Sequence, residues 1–219
     1  MKTYIAMMGM LVFAVGVSLN ARGQQVSGQE VQQWPIGKVV LTDGDILYGP
    51  LAFYRSQDVV SVQQEDGGIH SFTPVNVQYF VGQDQPSGRT YLFRSLRWDM
   101  GRKGSDFKKP TFFEQLNQGP FTLLRRQFAR YEEPGHPTNL YSQRGASLPV
   151  TFAAMGEPYE FYYILLPDGE IVTLQKVRKD LHKLFGDKSR EVKDYVKEHS
   201  LDYDRPYKLI AIVNYFNSL

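Results

Sequence analysis

Between Gly37 and Val81 the apolar and polar positions follow the two-residue period of strands. Val39, Val40 and Leu41, then Val59, Val60 and Val62, form short aliphatic runs, and Val75, Val77, Tyr79 and Val81 alternate with Asn76, Gln78 and Phe80. Asp43-Gly44 and Asp66-Gly67 punctuate these runs as hairpin dipeptides, because Gly enters positive φ without a Cβ clash and Asp tolerates it. RTYLFRSLRW (89–98) adds a further strand. Short strands joined by tight turns suit a small closed barrel of the SH3-like or Lsm-like kind, since closure removes exposed edges. The pattern therefore predicts a β-barrel-like antiparallel unit over residues 37–98.

Downstream the period changes. DMGRKGSDFKKP (99–110) is a glycine-containing basic loop. TFFEQLNQG (111–119) reads as a short helix: Thr111 stands where an N-cap belongs, Glu114 follows as in a capping box, and Gly119 can end it. On that helix Phe112, Phe113 and Leu116 share the buried face. PFTLLRRQFARY (120–131) is another strand. Residues 132–158 carry four prolines and three glycines without a period and read as a long loop. YEFYYILLPDGEIVTLQ (159–175) is a hairpin turning at Asp168-Gly169, with a first strand too continuously apolar to face water.

From residue 176 the spacing is helical. Val177, Leu181, Leu184 and Phe185 make one stripe, Gly186 a stop, and Asp187 the cap of a second helix carrying Val192, Tyr195, Val196 and His199. A third segment follows Asp204, with Pro206 tolerated in its first turn and a wide apolar face from Leu209 to Phe216 that must be buried. The predicted class is α+β: the barrel-like unit, a mixed β section over 99–175 with one short helix, and a helical cap over 176–219.

The start of the chain is an address. Lys2 precedes an apolar run from Tyr4 to Leu19, and Ala21-Arg22-Gly23 places small residues where a signal peptidase reads them. Residues 1–23 are expected to be removed before Gln24. The run of 16 residues is short of the roughly 20 that span a bilayer. Residues 24–36 follow as a Gln-rich polar tail with Trp34 as its first anchored side chain. The sequence contains no Cys, so a lipoprotein anchor, a disulfide and a thiolate metal site are all excluded. The expected setting is the periplasm, cell envelope or exterior, with a core that alone holds the fold and no membrane span after cleavage.

Charge sharpens the picture by its distribution. The formal net charge of the whole chain is +2, and Lys2 and Arg22 of the leader account for it. Residues 24–88 hold 2 basic and 7 acidic side chains, residues 89–130 hold 10 and 3, and residues 131–219 hold 11 and 13. One strongly basic section thus lies in a neutral chain.

Motifs for catalysis are absent. The four histidines, His70, His136, His182 and His199, show no HExxH spacing, and no serine lies in a GxSxG elbow. There is no phosphate-cradling glycine pattern. Asp43 and Asp45 resemble the start of a calcium loop, but the further ligands and the closing Glu are missing. No cofactor and no metal is expected. Thr42-Asp43-Gly44-Asp45-Ile46, Glu65-Asp66-Gly67-Gly68-Ile69 and Pro167-Asp168-Gly169-Glu170-Ile171 share turn chemistry rather than a repeat. The charged faces of the C-terminal helices read as ordinary solvated surfaces. Carboxylates dispersed in sequence, as in glycosidases, leave open the alternative of a hydrolase acting on envelope material.

The candidate site is the basic section itself. Arg94, Arg97, Trp98, Arg102, Lys103, Lys108, Lys109, Arg125, Arg126 and Arg130 interleave cations with aromatics, and a cationic stripe concentrates polyanions. At an exported address the partners are an anionic envelope polymer, a lipid headgroup or an acidic protein; nucleic acid is not expected. A second reading stays open, in which the section packs internally against the acidic 24–88 unit or a second copy of it.

The order of blocks also carries a resemblance. A leader, "GKVVLTDGDILYG", "FTPVNVQYF", "FFEQLNQGPFTLL", "YYILLPDGEIVTLQKVRKDLHKLF" and a terminal "VNYFN" together resemble a group of secreted proteins of Bacteroidetes-type bacteria with no assigned activity. The resemblance implies an envelope or periplasmic setting and no catalytic residue. The sequence reading is therefore an exported, non-catalytic binding or envelope-structural protein.

Overall fold

The computed structural model describes residues 30–102, 106–128 and 158–219. The predicted signal peptide, residues 24–29 of the tail, the loop 132–157, Lys103 and Arg130 lie outside the described residues. The α+β class holds, with antiparallel sheets first and helices at the C-terminal end. The closed barrel does not. The strands fall instead into two open sheets.

The smaller sheet joins β1 (Val31–Trp34), β4 (Leu51–Tyr54), β5 (Val59–Gln63) and β6 (Ile69–Phe72), in the order β1-β4-β5-β6. The larger contains β2 (Ile36–Leu41), β3 (Ile46–Tyr48), β7 (Val77–Gln83), β8 (Thr90–Trp98), β9 (Lys109–Gln115), β10 (Thr122–Phe128), β11 (Tyr159–Leu165) and β12 (Ile171–Leu174), in the order β12-β11-β10-β9-β8-β7-β2-β3. β8 does not turn back to close a barrel, because its free edge pairs with β9 from Leu92↔Gln115 to Trp98↔Lys109. The sheet thus runs through residue 98 without a break. Within the predicted tail, Val31–Trp34 is a strand paired with β4, and Trp34 is anchored in the core as expected.

The short helix predicted at 111–119 is strand β9. A helix puts Phe112 and Phe113 on one face; a strand sends them to opposite faces, and both faces here need an aromatic. Phe112 meets Phe53 and Phe80 on one side, while Phe113 packs edge-on against Trp98 and Tyr163 on the other. Tertiary demand on two cores overrides the local capping signal.

One row of cross-strand neighbours explains the layering. Val39, Phe80, Phe93, Glu114, Arg125, Tyr162 and Leu174 stand directly opposite one another on successive strands, so their side chains share a face of the large sheet. At the Val39 end the small sheet covers this face. Trp34, Phe53, Val60 and Val62 interlock there with Phe80, Phe93 and Phe112. Phe80 and Phe93 stack at 4.6 Å, and each such buried ring is worth about 3–5 kcal/mol against truncation to Ala. Gly82 permits the contact: a Cβ there would lie 2.3 Å from the Trp34 ring.

At the Leu174 end three helices cover the same face: α1 (Val177–Phe185), α2 (Ser189–Glu198) and α3 (Pro206–Asn217). Leu181, Phe185, Val192, Leu209, Ile212 and Val213 pack there on Leu123, Tyr162, Ile164 and Leu174. Gly186 ends α1 as expected. Asp187 caps nothing; it lies in a 3-10 turn, Gly186–Lys188, and α2 starts without a side-chain cap. α3 begins on Pro206, and Asp202 Oδ1 accepts from the Asp204 and Arg205 N–H groups just before it. Asn217 pins α3 to the β9–β10 turn, accepting from Phe121 N–H at 2.9 Å and donating to Phe121 O at 2.8 Å.

Candidate functional site

The seam between the two covers is where the row turns from apolar to charged. Glu114 and Arg125 face each other across β9 and β10 in register. Arg125 Nε donates to Glu114 Oε2 at 2.9 Å and Nη2 to Oε1 at 3.0 Å, a two-pronged pair with both side chains less than a tenth exposed. The third prong, Nη1, donates to Glu160 Oε1 at 2.8 Å. Gln127 Nε2 and the Tyr162 hydroxyl also donate to Glu160. Burial pushes the Glu114 carboxyl above its ordinary range, opposed by the Arg125 charge. Burial acts on Glu160 in the same sense, but the hydrogen bonds from Tyr162 and Gln127 and the Arg125 charge outweigh it and hold that carboxyl low. Arg125 itself is kept protonated: burial lowers its proton affinity, and the charges and hydrogen bond of its acidic partners more than restore it.

A second buried ion pair lies close by. β9 and β10 pair at Leu124↔Gln115 and Arg125↔Glu114, and Leu116 N–H donates to Leu123 O on the turn side. Asp58, buried in the β4–β5 turn at a φ of 55°, enters this region from the small sheet. It accepts from Phe112 N–H at 3.3 Å and from Arg126 Nη2 at 3.5 Å. Burial raises the Asp58 carboxyl, opposed by the Arg126 charge. The Arg126 guanidinium also lies 5.0 Å from the Phe128 ring centre.

The predicted cationic surface is therefore divided. Arg125 and Arg126 are consumed by internal pairs. Arg94 lies half-buried and reaches Gln115 Oε1 at 3.5 Å. Trp98 is a core residue against Phe113 and Tyr163, and its indole N–H has no hydrogen-bond partner among the described residues. Arg97, Arg102, Lys108 and Lys109 remain exposed at one end of the large sheet, and none forms an ion pair among the described residues. Arg97 and Lys108 share a concavity of about 340 Å³ with Asp99, Asp106 and Glu170. The sequence reading missed Asp58 and Glu160 as partners. A faint signal exists in both: Asp58 is a lone acid between apolar strands, and Glu160 alternates with Tyr162 and Ile164 at strand period.

Chemically, the seam is a clamp. A hydrolytic carboxylate pair needs one acid free to give a proton and an approach for substrate. Here one guanidinium holds both carboxylates, and the adjoining cavity of about 20 Å³, lined by Arg55, Glu114, Arg125 and Gln127 among others, has room for a single water. Among the described residues no cluster of three or more metal-ligating side chains occurs, and no helix is long and apolar enough to cross a membrane. Compared with known proteins, the chain matches no family model, no curated protein and no solved structure.

Proposed function

We propose that this chain is an exported, non-catalytic binding protein of the cell envelope that meets anionic envelope material through the end of its large sheet. The observation that carries the reading is the split within the basic section. Buried pairing takes up Arg125 and Arg126, while Arg97, Arg102, Lys108 and Lys109 stay exposed and without an ion-pair partner among the described residues. Exposed cations at the β8–β9 end of the sheet raise the local concentration of a polyanion. The signal-like leader supports the address. The seam's neutralised carboxylates support binding over hydrolysis.

The test reverses the four exposed cations together (Arg97→Glu, Arg102→Glu, Lys108→Glu, Lys109→Glu) and measures retention on isolated envelope fractions. The wild-type protein is expected to be retained at low salt and released at high salt, and the variant to pass through at both. Equal retention of the variant, or no retention of the wild type at low salt, overturns the reading.

A further inference from the structure

A second cluster of cations sits at the helical end, where the sequence shows only mixed charge. Lys176, Arg178 and Lys179 on and just before the first turn of α1 and Lys193 on α2 line a groove of about 580 Å³. All four side chains are exposed, and none forms an ion pair among the described residues. Three of the nearby acids are engaged, while Asp194 and Asp204 line the adjoining concavity together with Arg178 and Lys193. Asp180 accepts from the Lys176 backbone N–H at 2.8 Å. Asp202 is held by Lys208 Nζ at 2.6 Å. Glu191 pairs with Lys188 at 3.0 Å. Asp204 is the one carboxylate lining the groove, against four cations and His182.

The wall of the groove is ordered by hydrogen bonds. His182 sits between Ser189 and Tyr203, with Nδ1 at 2.9 Å from Ser189 Oγ and Nε2 at 2.7 Å from the Tyr203 hydroxyl. Both ring nitrogens are occupied, which fixes the imidazole and places the Tyr203 hydroxyl. The Arg178 guanidinium lies 5.8 Å from the Tyr203 ring centre, so its planar fork is steadied by the aromatic face. The field of the cations is felt by the imidazole: burial lowers its proton affinity, and the Lys193 and Arg178 charges lower it further. Lys176, Arg178 and Lys179 stand at the positive end of the α1 dipole, where Asp180 is the acid of the first turn and accepts from the Lys176 N–H.

We propose that this groove binds a phosphate-monoester group, held by Arg178, Lys179 and Lys193, with the Tyr203 hydroxyl as a neighbouring polar contact. A phosphate ester presents several acceptor oxygens and close to two charges, which suits a guanidinium fork with ammonium groups from two helices. The groove is wider than a phosphate ion, which leaves room for a phosphate carried on an organic group. The site is separate from the exposed cations at the sheet end and does not depend on them.

The test titrates the full chain with glycerol phosphate, with inorganic phosphate, and with phosphatidylcholine vesicles with or without phosphatidic acid. Amide resonances of Val177–His182 and Lys193 report the site. Wild-type protein is expected to show saturable shifts there. The Arg178→Ala/Lys193→Ala variant, checked for an unchanged melting temperature, is expected to bind about tenfold more weakly or worse. The variant reversed at Arg97, Arg102, Lys108 and Lys109 is expected to show the same glycerol phosphate shifts at the groove as the wild type. Binding of glycerol phosphate identifies a soluble ester as the source; binding of phosphatidic acid vesicles alone identifies a lipid headgroup, and either outcome supports the site. Absence of shifts with every probe, or equal binding by the groove variant, overturns it.

Discussion

Two sets of cations in one chain meet opposite fates. On β10, Arg125 projects into the seam between the two covers while Arg126 lies over Trp98, Phe113 and Phe128 on the other face, and each meets a carboxylate from another element. On α1 and α2, Arg178, Lys179 and Lys193 stay in water with no such partner among the described residues. The first set lies in the section with 10 basic and 3 acidic residues, the second in one with 11 and 13. The lesson is that charge counted along a chain does not measure charge available at a surface. Strand register places acids from other strands opposite a basic run, whereas exposed positions on a short helix leave its cations in water.

The comparison requires the helical end to be a fixed part of the molecule. Deleting residues 204–219 removes the buried Leu209, Ile212 and Val213 and the Asn217 link to the β9–β10 turn. Each lost aliphatic side chain is worth roughly 1.5–3 kcal/mol. The truncated protein is expected to aggregate or lose its cooperative transition in a thermal melt. An unchanged melt would mean that the helices are an appendage and that the groove has no firm wall.

Next in size is the contrast between the two sets of cations. Arg125→Ala leaves Glu114 buried without its counter-charge and is expected to cost about 3–5 kcal/mol in denaturant unfolding. Arg178→Ala, at an exposed position, is expected to stay within about 0.5 kcal/mol of the wild type. The double variant Arg125→Met/Glu114→Leu should recover much of the loss, since the seam then joins two apolar regions. Similar costs for the two single substitutions would erase the distinction between inward and outward cations.

The smallest effect is in pH. His182 has a lower proton affinity in the folded protein than its ordinary value of 6.5, through burial and then the Lys193 and Arg178 charges. Such a group binds more protons in the unfolded chain. Its contribution is therefore intact above pH 6.5 and is lost as pH falls below that value. Melting temperatures followed from about pH 7.5 to about pH 5.5 should fall more steeply for the wild type than for His182→Asn. Parallel curves would show that the folded environment, burial included, leaves the imidazole unshifted.

Local chemistry in the sequence was enough for much of the fold. Asp-Gly at 43, 66 and 168 marks hairpins because few other pairs enter that backbone region cheaply, and β2–β3, β5–β6 and β11–β12 turn there. Helical spacing from Val177 and the Gly186 stop located α1, and the wide apolar face from Leu209 located a helix that had to be buried. These signals act within a few residues, so one sequence suffices to read them.

What depended on partners distant in sequence was not legible. Phe112 and Phe113 look like one helix face until the two cores on opposite sides of β9 are known. Val31–Trp34 looks like a polar tail until β4 supplies its ladder. Strands from 37 to 98 look closable until β9 takes the free edge of β8. Arg125 looks like part of a binding surface until Glu114 and Glu160 stand beside it. The α1 and α2 charges look like solvated helix faces until packing sets four cations around His182 and Tyr203. The sequence by itself determined turns, periods and helix ends, because their energies are local; the tertiary structure decided register, sheet order and which charges are neutralised, because those energies belong to pairs of residues that only the fold brings together.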